Sequence, residues 1–257
     1  MKINYCRFNL HEYKKACWMI GERCNLNCHF CYQNKDGDLN HGSDYDIKNI
    51  IQLLLLKDIK HVILSGGEPL LYDELFKIIE SLEDAGIEVS LCTNAILADD
   101  VFCRRLICTK VRKVTINIAS IVDNNYFIHE SNSNYNSVIA GIKNFVNYGL
   151  NVTFNDLVFI VKKDIFLNKI LFCANMGVSN ISFIFPIYRD LSSKKLAVRS
   201  TQFDEAASIL QEIEKEFDIN ITLNNPICID ESCPANKNIF GIDVSGNLLP
   251  CLVKKDI

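Results

Sequence analysis

Apolar residues recur along the chain in two alternating rhythms. Short runs rich in β-branched and aromatic residues, bounded by turn residues, predict strands over 16–20, 61–65, 88–92, 113–119, 151–161 and 181–185. Between them, stretches with apolar residues three and four apart predict helices over 46–57, 71–85, 99–108, 136–148 and 166–176, with Gly86, Gly149 and Gly177 placed to cap three of them. Alternation of this kind builds a parallel sheet covered by helices. A further helix over 203–217 sets Ala206, Ala207, Leu210, Ile213 and Phe217 on one face. From 218 onward the rhythm gives way to short strands, turns and cysteines, which predicts a second module. The opening runs KINYCRF and KKACWMI predict an N-terminal hairpin leading into the first sheet strand, and the asparagine- and serine-rich stretch 123–136 reads as a loop.

A chain of 257 residues with 49% hydrophobic content can bury the core of one α/β barrel-like domain with a small appendage. The net charge is -4 and the lysines and arginines are scattered, so no basic stripe marks a nucleic-acid partner. No apolar run reaches the length of about eighteen residues that a membrane helix needs, and the charged opening segment has no signal-peptide core. The expected location is the cytoplasm, without a membrane partner. In a reducing cytosol, twelve cysteines point to metal binding rather than to a disulfide framework.

Their spacing narrows the chemistry. The segment GERCNLNCHFCYQNK sets Cys24, Cys28 and Cys31 in a C-x3-C-x2-C pattern on the loop leaving the first sheet strand. Three thiolates suit the soft-ligand preference of iron–sulfur clusters, and three ligands for a four-iron cube leave one iron open to a cosubstrate. A structural zinc site completed by His29 or a distant residue is the competing reading. After the second strand comes LSGGEPLL, where Gly66 and Gly67 let backbone approach a ligand and the Glu68 carboxylate, beside backbone carbonyls, suits an ammonium group. A plain tight turn between strand and helix is the alternative there. In SLCTNA, Cys92 reads as small core packing, as do Cys6, Cys17, Cys103, Cys108 and Cys173.

On these residues the chain resembles the radical S-adenosylmethionine (SAM) superfamily, whose hallmark loop is C-x3-C-x2-C with an aromatic beside the last cysteine, here Phe30 and Tyr32, and whose GGE turn follows one strand–helix unit later. The resemblance implies a partial (β/α)6 TIM-like barrel of the radical SAM type over 16–217, after an N-terminal extension at 1–15. It implies a [4Fe-4S] cluster on Cys24, Cys28 and Cys31 whose fourth iron is chelated by SAM. It also implies that Gly66, Gly67, Glu68 and Pro69 hold the methionyl amino group, with Tyr32 and Asn94 as further cofactor-binding residues and Asn117, in VTINIAS, as a ribose contact near Ser120. Many relatives carry Ser-x-Asp at that strand end and an arginine in the next loop. Here Ala119 stands at the aspartate's place, and His129 stands where the arginine would meet the SAM carboxylate.

Near the C-terminus, Cys228, Cys233 and Cys251 surround a hairpin turned at 243–246, and Gly241, Gly246, Pro250 and Cys251 fit the G-x4-G-x3-P-C pattern of the auxiliary modules called SPASM or twitch. This resemblance implies a small C-terminal β-hairpin/cysteine module over 218–257 with a second, auxiliary [4Fe-4S] cluster; zinc or unmetallated cysteines are the alternatives. By family resemblance, a flavodoxin- or ferredoxin-type reductant supplies an electron, SAM is cleaved to a 5′-deoxyadenosyl radical, and the radical abstracts a substrate hydrogen. The expected activity is of the oxidoreductase or peptide-maturase type, modifying a side chain of a ribosomally made peptide or protein. Because the first barrel strand begins near residue 16, a separate leader-peptide-binding protein is an expected partner. Oxidation or rearrangement of a small molecule such as a sugar-like alcohol is the alternative. A non-catalytic iron–sulfur or zinc redox sensor is the alternative from another class.

Overall fold

The computed structural model describes residues 1–5, 15–28, 31, 46–118, 132–185, 200–225 and 239–249. The chain divides into two compact units. One comprises Asn9–Thr115, His129–Asn151 and Pro234–Ile257; the other comprises Met1–Phe8, Ile116–Ile128 and Val152–Cys233.

The first unit contains strands β2 (Lys15–Met19), β3 (His61–Ser65) and β4 (Glu88–Thr93), with helices α1 (Ile47–Leu56), α2 (Leu75–Asp84) and α3 (Asp100–Ile107) between and after them. Helix α4 (Asn132–Asn147) and the strands β9 (Ile239–Ile242) and β10 (Leu248–Leu249) also belong to it. Strand β2 runs parallel to β3, β3 to β4, and β9 lies parallel along the other edge of β2, with β10 folded back antiparallel. Side-chain caps set the helix starts: Asp46 accepts from the Lys48 N–H at 2.9 Å and Asp99 from the Phe102 N–H at 2.7 Å. Leu75, Phe76, Ile78, Ile79 and Leu82 bury one face of α2, and Trp18, Val62, Leu64 and Leu91 are buried on the strands. Each such side chain contributes about 1.5–3 kcal/mol of hydrophobic stabilisation.

The second unit contains β6 (Asn151–Leu157), α5 (Lys163–Asn175), β7 (Asn180–Ile184), α6 (Ser200–Glu214) and β8 (Asn220–Asn225), with β1 (Lys2–Tyr5) parallel along the outer edge of β8. Strand β5 (Lys113–Asn117) contributes residues to both units, and Asn151 at the start of β6 belongs to the first. Phe154 stacks on Phe172 and Phe166 meets Phe183 edge-on, which seats α5 on one face of β6 and β7. Within that core Lys169 and Asp156 form a buried ion pair at 2.6 Å.

Every predicted strand and helix is present, with shifted ends. The helix expected from residue 71 starts at Leu75, because Pro69–Leu71 form a 3-10 turn whose Leu70 N–H is held by the Glu68 carboxylate. The strand expected to run to 161 ends at Leu157. The N-terminal hairpin does not form. Both edges of β2 are taken, by β3 and by β9, and β1 completes the edge of β8 instead. The C-terminal hairpin forms as expected: Asp243 accepts from the Ser245 and Asn247 N–H groups at 2.9 Å each, and Gly246 takes a φ of 82°. Among the described residues, no helix is long and apolar enough to cross a membrane.

Candidate functional site

Parallel pairing aligns Met19 with Ser65, so the cysteine loop after β2 and the GGEP turn after β3 leave the sheet side by side at its C-terminal edge, where α/β folds place their sites. Backbone bonds join the two segments: the Gly67 N–H donates to the Gly21 carbonyl and the Glu68 N–H to the Arg23 carbonyl, each at 2.8 Å. A Cβ on Gly67 would lie 2.1 Å from the Arg23 oxygen, and one on Gly66 2.6 Å from the Gly21 oxygen. Both glycines are therefore required by the approach of one loop to the other, before any ligand is considered.

Beyond this clamp, Cys24 and Cys31 are exposed and Cys28 is half-buried. The Cys31 N–H donates to the Cys28 carbonyl at 3.1 Å, and the Leu26 N–H points to the Cys24 sulfur at 3.4 Å. Hydrogen bonds to sulfur stabilise thiolate ligands and tune cluster potentials. Among the described residues, no three His, Cys, Asp or Glu side chains converge as they would on a single metal ion. A four-iron cube makes a different demand, taking one thiolate on each of three separate irons.

Glu68 is 1% exposed and its carboxylate faces inward, toward the protein's own donors. It accepts from the Leu70 N–H at 3.1 Å, the Thr93 hydroxyl at 2.6 Å and the Asn94 N–H at 2.8 Å. Burial raises its pKa and the three donors pull it back. The carboxylate thus ties the turn to the end of β4. Among the described residues, no donor is bonded to the Gly66 or Gly67 carbonyl oxygens, which are acceptors suited to an ammonium group. Pro69 is buried and opens the 3-10 turn. Asn94 donates its side-chain amide to the side-chain oxygen Oδ1 of Asn25 at 2.7 Å, so a third segment braces the cysteine loop. The residue after it, Ala95, holds a φ of 66°.

Asn117 ends β5, half-buried, in the other unit. Tyr32, His129, Cys228, Cys233 and Cys251 lie outside the described residues, as does Ser120. Sequence reasoning missed Tyr72. Its ring fills the space beside Gly21, where a Cβ would lie 2.0 Å from it, and its phenol accepts from the Arg23 N–H at 2.5 Å. Nothing in a tyrosine downstream of GGEPLL signals a contact spanning 49 residues. Of the other thiols expected in the core, Cys103 and Cys173 are buried and Cys17 and Cys92 half-buried, whereas Cys108, at the C-terminal end of α3, is exposed and Cys6 lies outside the described residues; burial pushes Cys92 and Cys103 up to about 11 and Cys173 up to about 12.

Fold and site together describe an α/β protein that presents three cysteines beside a glycine turn. The profile of the Radical SAM superfamily matches residues 18–164, and the chain belongs to that superfamily. Family membership implies a [4Fe-4S] cluster and SAM, and three accessible thiols, of which Cys24 has the Leu26 N–H at its sulfur, fit such a group. Two sequence relatives are named "Probable GTP 3',8-cyclase". That of Saccharolobus islandicus is 26% identical over 91% of this chain and 80% of its own length. That of Methanococcus maripaludis is 27% identical over 92% of this chain and 84% of its own length. Among solved structures, Streptococcus suis SuiB bound to precursor peptide SuiA superposes with a TM-score of 0.70 at 16% identity, covering 94% of this chain and 60% of that one. The protein anSMEcpe with bound AdoMet and a peptide gives a TM-score of 0.68 at 16% identity, covering 93% of this chain and 74% of that one. The chain thus spans about three-fifths of SuiB's length, and these likenesses establish the partial-barrel fold of radical SAM enzymes.

Proposed function

We propose that the chain carries a [4Fe-4S] cluster on Cys24, Cys28 and Cys31, holds SAM against Gly66–Pro69, and modifies a side chain of a peptide or protein. The observation that supports this reading is the clamp between the 21–23 backbone and the Gly66–Gly67 turn, which ties the start of the cysteine loop to the glycine turn. The cluster and SAM, when bound, supply a 5′-deoxyadenosyl radical able to take a hydrogen atom from an unactivated carbon. The chain's own residues orient and shield. The Gly66 and Gly67 carbonyls would accept from the methionyl ammonium, while Glu68 and Tyr72 fix the turn and the loop and Asn94 steadies Asn25. His129 is proposed to meet the SAM carboxylate and Asn117 the ribose. Cys228, Cys233 and Cys251 are proposed to hold an auxiliary cluster.

The fold shared with peptide-bound SuiB and anSMEcpe supports a peptide substrate. The relatives named GTP 3',8-cyclase support a second reading, a radical rearrangement of a small molecule. A flavodoxin- or ferredoxin-type protein is the proposed reductant, and a separate leader-binding protein a proposed partner. The test is anaerobic reconstitution followed by addition of SAM and dithionite. Formation of 5′-deoxyadenosine that disappears in Cys24→Ala supports the assignment, and its absence from the parent protein overturns it. Mass spectrometry of products from candidate peptides and from GTP separates the two substrate readings.

A further inference from the structure

Strands β6, β7 and β8 open with related sequences, NVTFNDL, NISFI and NITLNN. On each, one set of alternate residues is buried: Val152, Phe154 and Asp156, then Ile181 and Phe183, then Ile221 and Leu223. The ring contacts of Phe154 and Phe183 with α5 show that this set faces the helices. The other set faces away from them. Register aligns it in three rows: Thr153, Asn180 and Asn220; Asn155, Ser182 and Thr222; Leu157, Ile184 and Asn224. Seven of these nine positions are Asn, Ser or Thr and none is charged, and all but Ser182 and the exposed Asn220 are half-buried.

A sheet face left to water is usually mixed in charge and rich in Lys and Glu, and a face packed in a core is apolar. This face is neither. Carboxamides and hydroxyls both donate and accept, and the bond from the Asn224 amide to the Ser182 hydroxyl at 2.6 Å fixes one carboxamide across the strand pair. Same-face residues repeat about every 6.6 Å along a strand, which is also the spacing at which an extended peptide presents amide groups on one side. A peptide lying here would find partners for its N–H and C=O groups, whose burial without partners costs about 1–3 kcal/mol each. Leu157 and Ile184, in the row at the C-terminal ends, offer an apolar contact for a side chain. A phosphate group gains no charge complement from these rows, since its usual partners are cationic.

We propose that this face of β6–β8 is the substrate-reading surface, and that it takes an uncharged stretch of extended peptide through Asn155, Ser182, Thr222 and Asn224. The inference rests on the radical SAM reading above and deepens it. Peptides are selected by messenger-RNA display on the anaerobically reconstituted, SAM-loaded protein, and their dissociation constants are measured by fluorescence anisotropy. Asn155→Ala and Asn224→Ala are each expected to weaken binding about tenfold, the worth of one lost hydrogen bond of about 1.4 kcal/mol. The isosteric Thr222→Val is expected to weaken it several-fold. Circular dichroism and iron content matching the parent separate lost recognition from lost fold. Failure to enrich any peptide, binding indifferent to all three substitutions, or GTP binding that the same substitutions weaken would each overturn the proposal. Uncoupled cleavage of SAM by the parent protein in the same preparation tests the underlying reading separately: if it fails, both fall; if it holds while peptide affinity ignores the substitutions, only this inference falls.

Discussion

The phenol of Tyr72 engages the backbone of Arg23 at both ends: it accepts the N–H at 2.5 Å and lies 3.5 Å from the carbonyl oxygen, while the guanidinium sits 4.9 Å from the ring centroid. Arg23 immediately precedes the first cysteine of the loop, so this tyrosine sets the direction in which Cys24 leaves the sheet. Tyr72→Phe keeps the ring beside Gly21 and deletes the oxygen. The expected result is a loss of about 1–3 kcal/mol in urea unfolding of the metal-free protein, from an N–H deprived of its acceptor. Faster loss of iron to a chelator is expected as well. Unchanged iron retention would show that the loop does not depend on this contact.

Gly67→Ala should act on the same junction more severely. Its methyl would meet the Arg23 carbonyl oxygen at 2.1 Å, a backbone atom that yields only if the loop shifts. A destabilisation of about 1–3 kcal/mol is expected from overpacking, with iron binding reduced and SAM affinity, measured by equilibrium dialysis, falling further than the stability change alone would produce.

Metal counting separates the two cysteine sets. The parent protein, reconstituted anaerobically, is expected to hold about eight irons, and the variant with alanine at positions 24, 28 and 31 about four. A parent value of about four would remove the auxiliary cluster from Cys228, Cys233 and Cys251 and leave the first cluster standing.

His61 gives the fold a pH dependence. It sits beside Ser90 at 2.8 Å, and its pKa is lowered to about 4, first by burial and then by Lys15, with Glu88 opposing and Lys113 adding. The unfolded chain therefore takes up this proton first, near pH 6.5. Stability conferred by the neutral ring is complete above that value and is lost as pH falls toward 4. Denaturation midpoints measured between pH 7 and 4 should fall in the parent and fall less in His61→Leu. Parallel slopes would contradict the assignment.

The buried pair between Asp156 and Lys169 makes a different prediction. Lys169→Met alone strands a carboxylate in the core and is expected to cost about 3–5 kcal/mol, whereas Asp156→Leu combined with Lys169→Met is expected to be near neutral. A double-mutant cycle in urea reads the coupling directly. Additive losses would mean that the pair stabilises little.

Much of this was legible in the chain. Alternating periodicity located the strands and helices because each strand of the sheet buries one or both faces, and C-x3-C-x2-C with GGEP marked the candidate site because the chemistry proposed for it fixes residue type and spacing. Pairing at the sheet margins was not legible, since KINY can add to any open ladder and only the finished sheet shows that β8 offers one while β2 does not. The orientation of Glu68 was hidden for a related reason. A carboxylate beside two glycines suggests a ligand, and the hydroxyl of Thr93 that turns it inward comes from a strand 25 residues away.

The seam between Gly67 and Arg23 also imposes an order on maturation. Loop and turn are distant in the chain and meet only after β2 and β3 lie side by side, so the three cysteines acquire their setting from completed protein structure. On the proposed assignment, a nascent chain would have no nest for iron until Tyr72 had emerged and docked. The proposed cluster would then be inserted late, into a folded apoprotein, and conditions that slow sheet assembly would leave these thiols open to oxidation for longer.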